Sequence, residues 1–139
     1  MIGMNRRSTM ALGLSAATAP LFISAAAAAT KEYGPTDGKE VHPGVRMVEV
    51  GEGNSDIPAY KSIKIVDFIF QPGSVFPATV MNNDMVCSIS PGELKINKAD
   101  KEFTLKDGDI YTCAKGKTEM VTNTGAVAVV MRAAILIPA

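Results

Sequence analysis

From Val45 to the C-terminus, short runs rich in β-branched and aromatic residues alternate with turn-forming clusters, roughly every eight to twelve residues. A rhythm this short leaves no room for a helix long enough to bury a face. It predicts an all-β sandwich or barrel. The predicted strands cover residues 45–50, 62–70, 75–80, 85–90, 93–96, 102–105, 109–113, 118–122 and 127–137, about nine in all. Their separators include Gln71-Pro72-Gly73, Asn82-Asn83-Asp84, Pro91-Gly92, Asp107-Gly108 and Lys115-Gly116-Lys117. Each supplies residues that suit tight turns.

Local patterning agrees with that reading. Leu94 and Ile96 alternate with Glu93, Lys95 and Asn97, and Phe103 and Leu105 do the same beyond a polar tip at Lys98-Ala99-Asp100. Such a pair makes a hairpin with one buried face. The run from Ala126 to Met131 is apolar at every position, as a central strand covered on both sides would be. Residues 30–44 contain Gly34-Pro35, Asp37-Gly38 and Pro43-Gly44, and are expected to form an extended arm rather than regular structure.

Two spacings narrow the fold further. Gly73, Thr79, Met81, Met85 and Gly92 form one series, and Gly108, Ala114, Gly116, Glu119 and Asn123 form a second. Together, in this order and separated by the 93–105 hairpin, they resemble the two motifs of small single-domain cupins. The resemblance covers about residues 65–136. It implies a cupin-like double-stranded β-helix, a jelly-roll barrel of about nine strands spanning residues 45–139. In that family the middle positions of the first motif are histidine, histidine and glutamate, and a histidine stands where Glu119 does. Here Thr79, Met81 and Met85 take the first three. Hard or borderline cations prefer imidazole and carboxylate, so no Fe, Mn or Zn site is expected. The chain's one histidine, His42, falls outside both motifs and is expected on the surface.

The soft residues leave more than one reading open. Two cysteines, Cys87 and Cys113, could close a disulfide in an exported protein, or remain buried thiols that act as small apolar filler. Family topology places the start of the Met85 strand beside the end of the 109–113 strand. Met81, Met85, Cys87 and Cys113 would then suit a soft ion such as Cu(I), or the methionines would simply line an apolar pocket. Glu119 is a candidate proton-transfer group if it points into the barrel, and an ordinary rim carboxylate if it does not. Alternation alone does not decide whether Tyr111 and Cys113 or Ile110 and Thr112 face inward.

The N-terminus reads as an address rather than as fold. Arg6-Arg7 precede an apolar stretch and then Ala27-Ala28-Ala29, the pattern of an export signal over residues 1–29, of the twin-arginine type or an ordinary secretory one. The apolar stretch is too short to span roughly 30 Å of hydrocarbon, so no membrane anchor is expected after cleavage, and the expected location is periplasmic. The remaining chain carries 12 basic and 14 acidic residues with no basic cluster, which argues against a nucleic-acid partner.

Together these features point to an exported, metal-free, non-enzymatic module with no cofactor, a possible homodimer by analogy with the family. It would bind a small, mostly apolar molecule in a pocket lined from among Phe68, Phe70, Phe76, Thr79, Met81, Met85, Tyr111 and Glu119, or serve as an interaction module in a periplasmic assembly. A copper-binding protein is the alternative, and a metal-independent enzyme built on Glu119 the third reading.

Overall fold

A computed structural model describes residues 32–139. The expected export segment lies outside the described residues. Side chains that alternate along a strand must bury one face and hydrate the other. The described chain meets this demand with ten strands: Lys39–His42 (β1), Val45–Asn54 (β2), Tyr60–Phe70 (β3), Val75–Val80 (β4), Asp84–Ser90 (β5), Glu93–Lys98 (β6), Lys101–Lys106 (β7), Ile110–Cys113 (β8), Thr118–Thr122 (β9) and Val129–Pro138 (β10). They form a six-stranded sheet in the order β1-β2-β3-β10-β5-β8 and a four-stranded sheet in the order β4-β9-β6-β7. Every pairing is antiparallel. This is the jelly-roll that the two spacings imply. Among the described residues no helix is long and apolar enough to cross a membrane.

The core lies between the two inner faces. The six-stranded sheet contributes Val45, Val66, Phe70, Cys87, Ile89, Val129, Met131 and Ala133, and the four-stranded sheet contributes Leu94, Ile96, Leu105 and Val121. Leu94 pairs with Leu105 and Ile96 with Phe103, as the hairpin patterning predicts. Fully burying side chains of this size stabilises by about 1.5–3 kcal/mol each relative to exposure. Gly73, Gly92, Gly108 and Gly116 all adopt positive φ, between 81° and 88°. That backbone region disfavours side chains, so these motif glycines serve the turns and owe nothing to a metal.

Asn123, the last residue of the second spacing, is fully buried. Its Nδ2 donates to the carbonyls of Phe70 and Val127, both at 2.9 Å, and its Oδ1 accepts from Gly125 N–H at 3.0 Å. One side chain thus ties the end of β3 to the loop that launches β10.

Four expectations need correction. Lys39–His42 does not stay irregular: between the Asp37-Gly38 and Pro43-Gly44 breaks it finds open backbone groups at the edge of β2 and pairs with them. β2 does not stop at Val50. A bulge at Val50, between Glu49 and Gly51, lets Gly51 pair with Ile65, and the strand continues to Asn54 against β3. β10 starts at Val129 rather than Val127, because Asn123 holds the Val127 carbonyl in the preceding loop. β10 is central, flanked by β3 and β5, but its outer face is not a second core: it carries the exposed Arg132. The Arg132 guanidinium donates to both oxygens of Asp67, at 2.8 and 2.9 Å, and the Tyr33 hydroxyl donates to Asp67 Oδ2 at 2.6 Å.

Candidate functional site

Pairing register creates a hollow at one end of the barrel. Ala133 on β10 lies directly opposite Cys87 on β5, and both are almost completely buried. Two small side chains abreast leave space that larger ones would fill. Two residues further along the paired strands, on the same face, sit Ile135 and Met85, and two residues back Met131 and Ile89. The result is a cavity of about 220 Å³. Phe68, Phe70, Met131, Ala133 and Ile135 line one side of it, Phe76, Glu119 and Val121 the other, and Thr79 to Asn83 its mouth.

Glu119 is the one ionisable carboxyl among these walls, and only 5% of it is exposed. It lies on β9 opposite Thr79, with its side chain turned into the barrel rather than out to the rim. Two donors meet it. The Tyr111 hydroxyl donates to Oε1 at 2.8 Å, and the Cys113 thiol donates to Oε2 at 2.6 Å. The open question on β8 is therefore settled: Tyr111 and Cys113 face inward, while Ile110 and Thr112 are exposed. The Tyr111 hydroxyl also lies 3.8 Å from Met131 Sδ.

Both donors hold their protons firmly. Burial, then the neighbouring Cys87 and Glu119, pushes the Tyr111 hydroxyl far above its ordinary value of 10.0. Contact with Cys87, followed by burial and Glu119, pushes the Cys113 thiol far above its ordinary 9.0. A protonated phenol and a protonated thiol are the partners that a buried carboxylate acceptor needs. Lys98 lies opposite Glu119 in register, but its ammonium donates to the Thr112 carbonyl at 2.8 Å and sits 5.3 Å from the centre of the Tyr111 ring. Among the described residues no ion pair joins Lys98 to Glu119.

The sites expected from sequence separate into two groups. Met81, Met85, Cys87, Glu119, Phe68, Phe70, Phe76 and Thr79 do line the cavity. Tyr111 and Cys113 act from behind it, through Glu119. Thr79 is exposed, and its hydroxyl is spent on the Pro77 carbonyl at 2.7 Å. Cys87 and Cys113 are free buried thiols. His42 is half-buried rather than on the open surface, with its ring edge-on to Phe76 at 4.5 Å. Met131, Ala133 and Ile135 escaped the sequence reading. Their every-second-residue spacing along β10 was the signal that could have found them.

The cupin positions do not fit a cupin metal. Of Thr79, Met81, Met85 and Glu119, only Glu119 is a ligand suited to Fe, Mn or Zn, and both its oxygens already accept protein donors. Among the described residues, no three His, Cys, Asp or Glu side chains converge in a group that could hold an ion.

No protein-family model and no curated relative matches the sequence. Solved structures do resemble the fold. KdgF from a Halomonas species superposes with a TM-score of 0.58 at 16% identity, covering 72% of this chain and 87% of that one. The cupin domain of an XRE-family transcriptional regulator from Enterobacter cloacae gives 0.57 at 14% identity, covering 69% and 99%. A cupin-superfamily protein from Desulfitobacterium hafniense gives 0.55 at 20% identity, covering 78% and 93%. The chain has the cupin fold, and at these identities the likeness extends to the fold alone.

Proposed function

We propose that this protein is an exported cupin-fold module that binds a small, mostly apolar molecule inside its barrel, without Fe, Mn or Zn and without catalysing a reaction. The observation that carries this reading is the 220 Å³ cavity walled by phenylalanine and methionine, with one buried carboxyl at its side. A hollow of about 150 Å³ lined by apolar side chains holds benzene. This one therefore suits a single ring or short chain with a small polar head. Phenylalanine faces give the wall rigidity, and Met81, Met85 and Met131 let it adapt to shape.

Ala133→Leu tests the proposal, because the larger side chain enters the space that Ala133 and Cys87 leave. Native mass spectrometry of protein from the producing cell is expected to show a retained small molecule in wild type and none in the variant. A ligand retained equally by both would place binding elsewhere.

One observation favours a second reading. Cys87 and Cys113 sit against each other, with Met85 directly opposite Cys113. Two thiols and a thioether suit Cu(I), although Cys113 would have to lose a proton that its surroundings hold tightly. Thermal stabilisation by Cu(I), lost in Met81→Ala/Met85→Ala, would support copper; wild-type protein unmoved by Cu(I) would remove it.

A further inference from the structure

We propose that the occupant of the barrel is an organic cation, a compact primary ammonium with an apolar body; this assignment rests on the cavity being a ligand site. Glu119 carries the argument. Each carboxylate oxygen has two acceptor positions. Tyr111 takes one position on Oε1 and Cys113 takes one on Oε2, which leaves acceptor capacity on both oxygens. Glu119 itself forms part of the cavity wall, and the ammonium of the occupant is assigned to that remaining capacity.

The charge balance points the same way. None of the residues lining the cavity is basic. Lys98, the one basic side chain in register with Glu119, is committed to the Thr112 carbonyl and to the faces of the Tyr111 and Phe103 rings. Tyr111 and Cys113 supply hydrogen bonds but no charge, since both keep their protons. A carboxylate removed from water without an opposite charge is costly, and an ammonium entering the cavity would relieve that cost. Phe68 and Phe76, packed edge to face at 5.7 Å, add aromatic surface suited to a cation and its carbon skeleton. An anionic ligand would meet Glu119 with like charge. A neutral one would leave the carboxylate uncompensated.

Isothermal titration of the purified protein with benzylammonium, benzyl alcohol and benzoate at neutral pH tests this. The three share one ring and differ in the head group. Benzylammonium is expected to bind tighter than benzyl alcohol by roughly 10- to 100-fold, the range for a hydrogen bond to a charged acceptor. Glu119→Gln is expected to erase that ratio while leaving benzyl alcohol binding in place. That retained binding shows that the variant still folds and still has its cavity. Equal affinity for the alcohol and the ammonium, or tighter binding of benzoate, overturns the cation assignment and leaves the pocket reading standing. No binding of any of the three by wild type overturns both. Tight benzoate binding abolished by Lys98→Met would identify the lysine as the charge that the site presents.

Discussion

Replacing Asn123 tests how the barrel end is held together. The side chain is fully buried and makes three hydrogen bonds, at 2.9, 2.9 and 3.0 Å. Asn123→Ala removes all three. At a net value of about 0.5–1.5 kcal/mol each, the loss is about 2–4 kcal/mol, a large share of the roughly 5–15 kcal/mol that holds a domain of this size folded. The Phe70 carbonyl is buried, so its orphaning sets the upper end; Val127 and Gly125 lie near solvent and regain water. Asn123→Asp is the sharper variant. It keeps an acceptor for Gly125 but turns carboxylate oxygen toward two carbonyl oxygens, so it should cost at least as much as alanine. Urea unfolding followed by far-UV circular dichroism reads both. With an m-value of about 1–1.5 kcal/mol/M, the midpoint should fall by roughly 1.3–4 M for Asn123→Ala. A loss below about 1 kcal/mol, or an aspartate variant more stable than the alanine one, would refute the reasoning.

Alkaline titration at 295 nm offers a second check. Burial and then the Asp67 carboxylate raise Tyr33 from 10.0 to about 12. The folded protein therefore holds this proton more tightly than the unfolded chain does. The stabilisation is complete below pH 10 and disappears as pH rises through about 12. Tyr33→Phe should delete an absorbance step near pH 12; deletion of one near 10 would contradict the Asp67 contact. Arg132→Ala leaves the buried Asp67 carboxylate without its bidentate partner. It should cost roughly 2–3 kcal/mol, less than a fully buried pair because Arg132 is half exposed. Asp67→Asn in that background should recover part of the loss in thermal unfolding, and no recovery would dissociate the cost from the charge. Gly38 and Gly116 both have positive φ, but an added Cβ at Gly38 meets the Met47 carbonyl and comes within 2.7 Å of Val48 Cγ2, whereas at Gly116 it meets nothing within 4 Å. Gly116→Ala should cost about 1–2 kcal/mol, for backbone conformation alone. Gly38→Ala should cost distinctly more, and equal midpoints in chemical unfolding would show that the arm yields to the clash.

Much of the fold was legible in the chain because its signals are local. Turn clusters space the strands, period-2 alternation orients Leu94, Ile96, Phe103 and Leu105, and motif glycines mark junctions where the backbone needs positive φ. The errors came where a local signal met a long-range one. The strand predicted to stop at residue 50 runs on, because a bulge at Val50 lets Gly51 pair with Ile65 of β3, and Lys39–His42, expected to be irregular, finds partners at the open edge of β2. The site was half legible. Spacing put Thr79 and Met81 on one face, because residues two apart share a face, and the cupin resemblance implied that Met85 and Glu119 join them at one barrel mouth. It could not say that the Glu119 carboxyl turns inward, that Tyr111 and Cys113 reach its two oxygens, or that Ala133 and Cys87 stand abreast to open the hollow. Those facts depend on which strands become neighbours and on their register, and neither is set within any one strand. Short-range chemistry determined what each segment could be; the closing of two sheets over one another decided what the segments enclose.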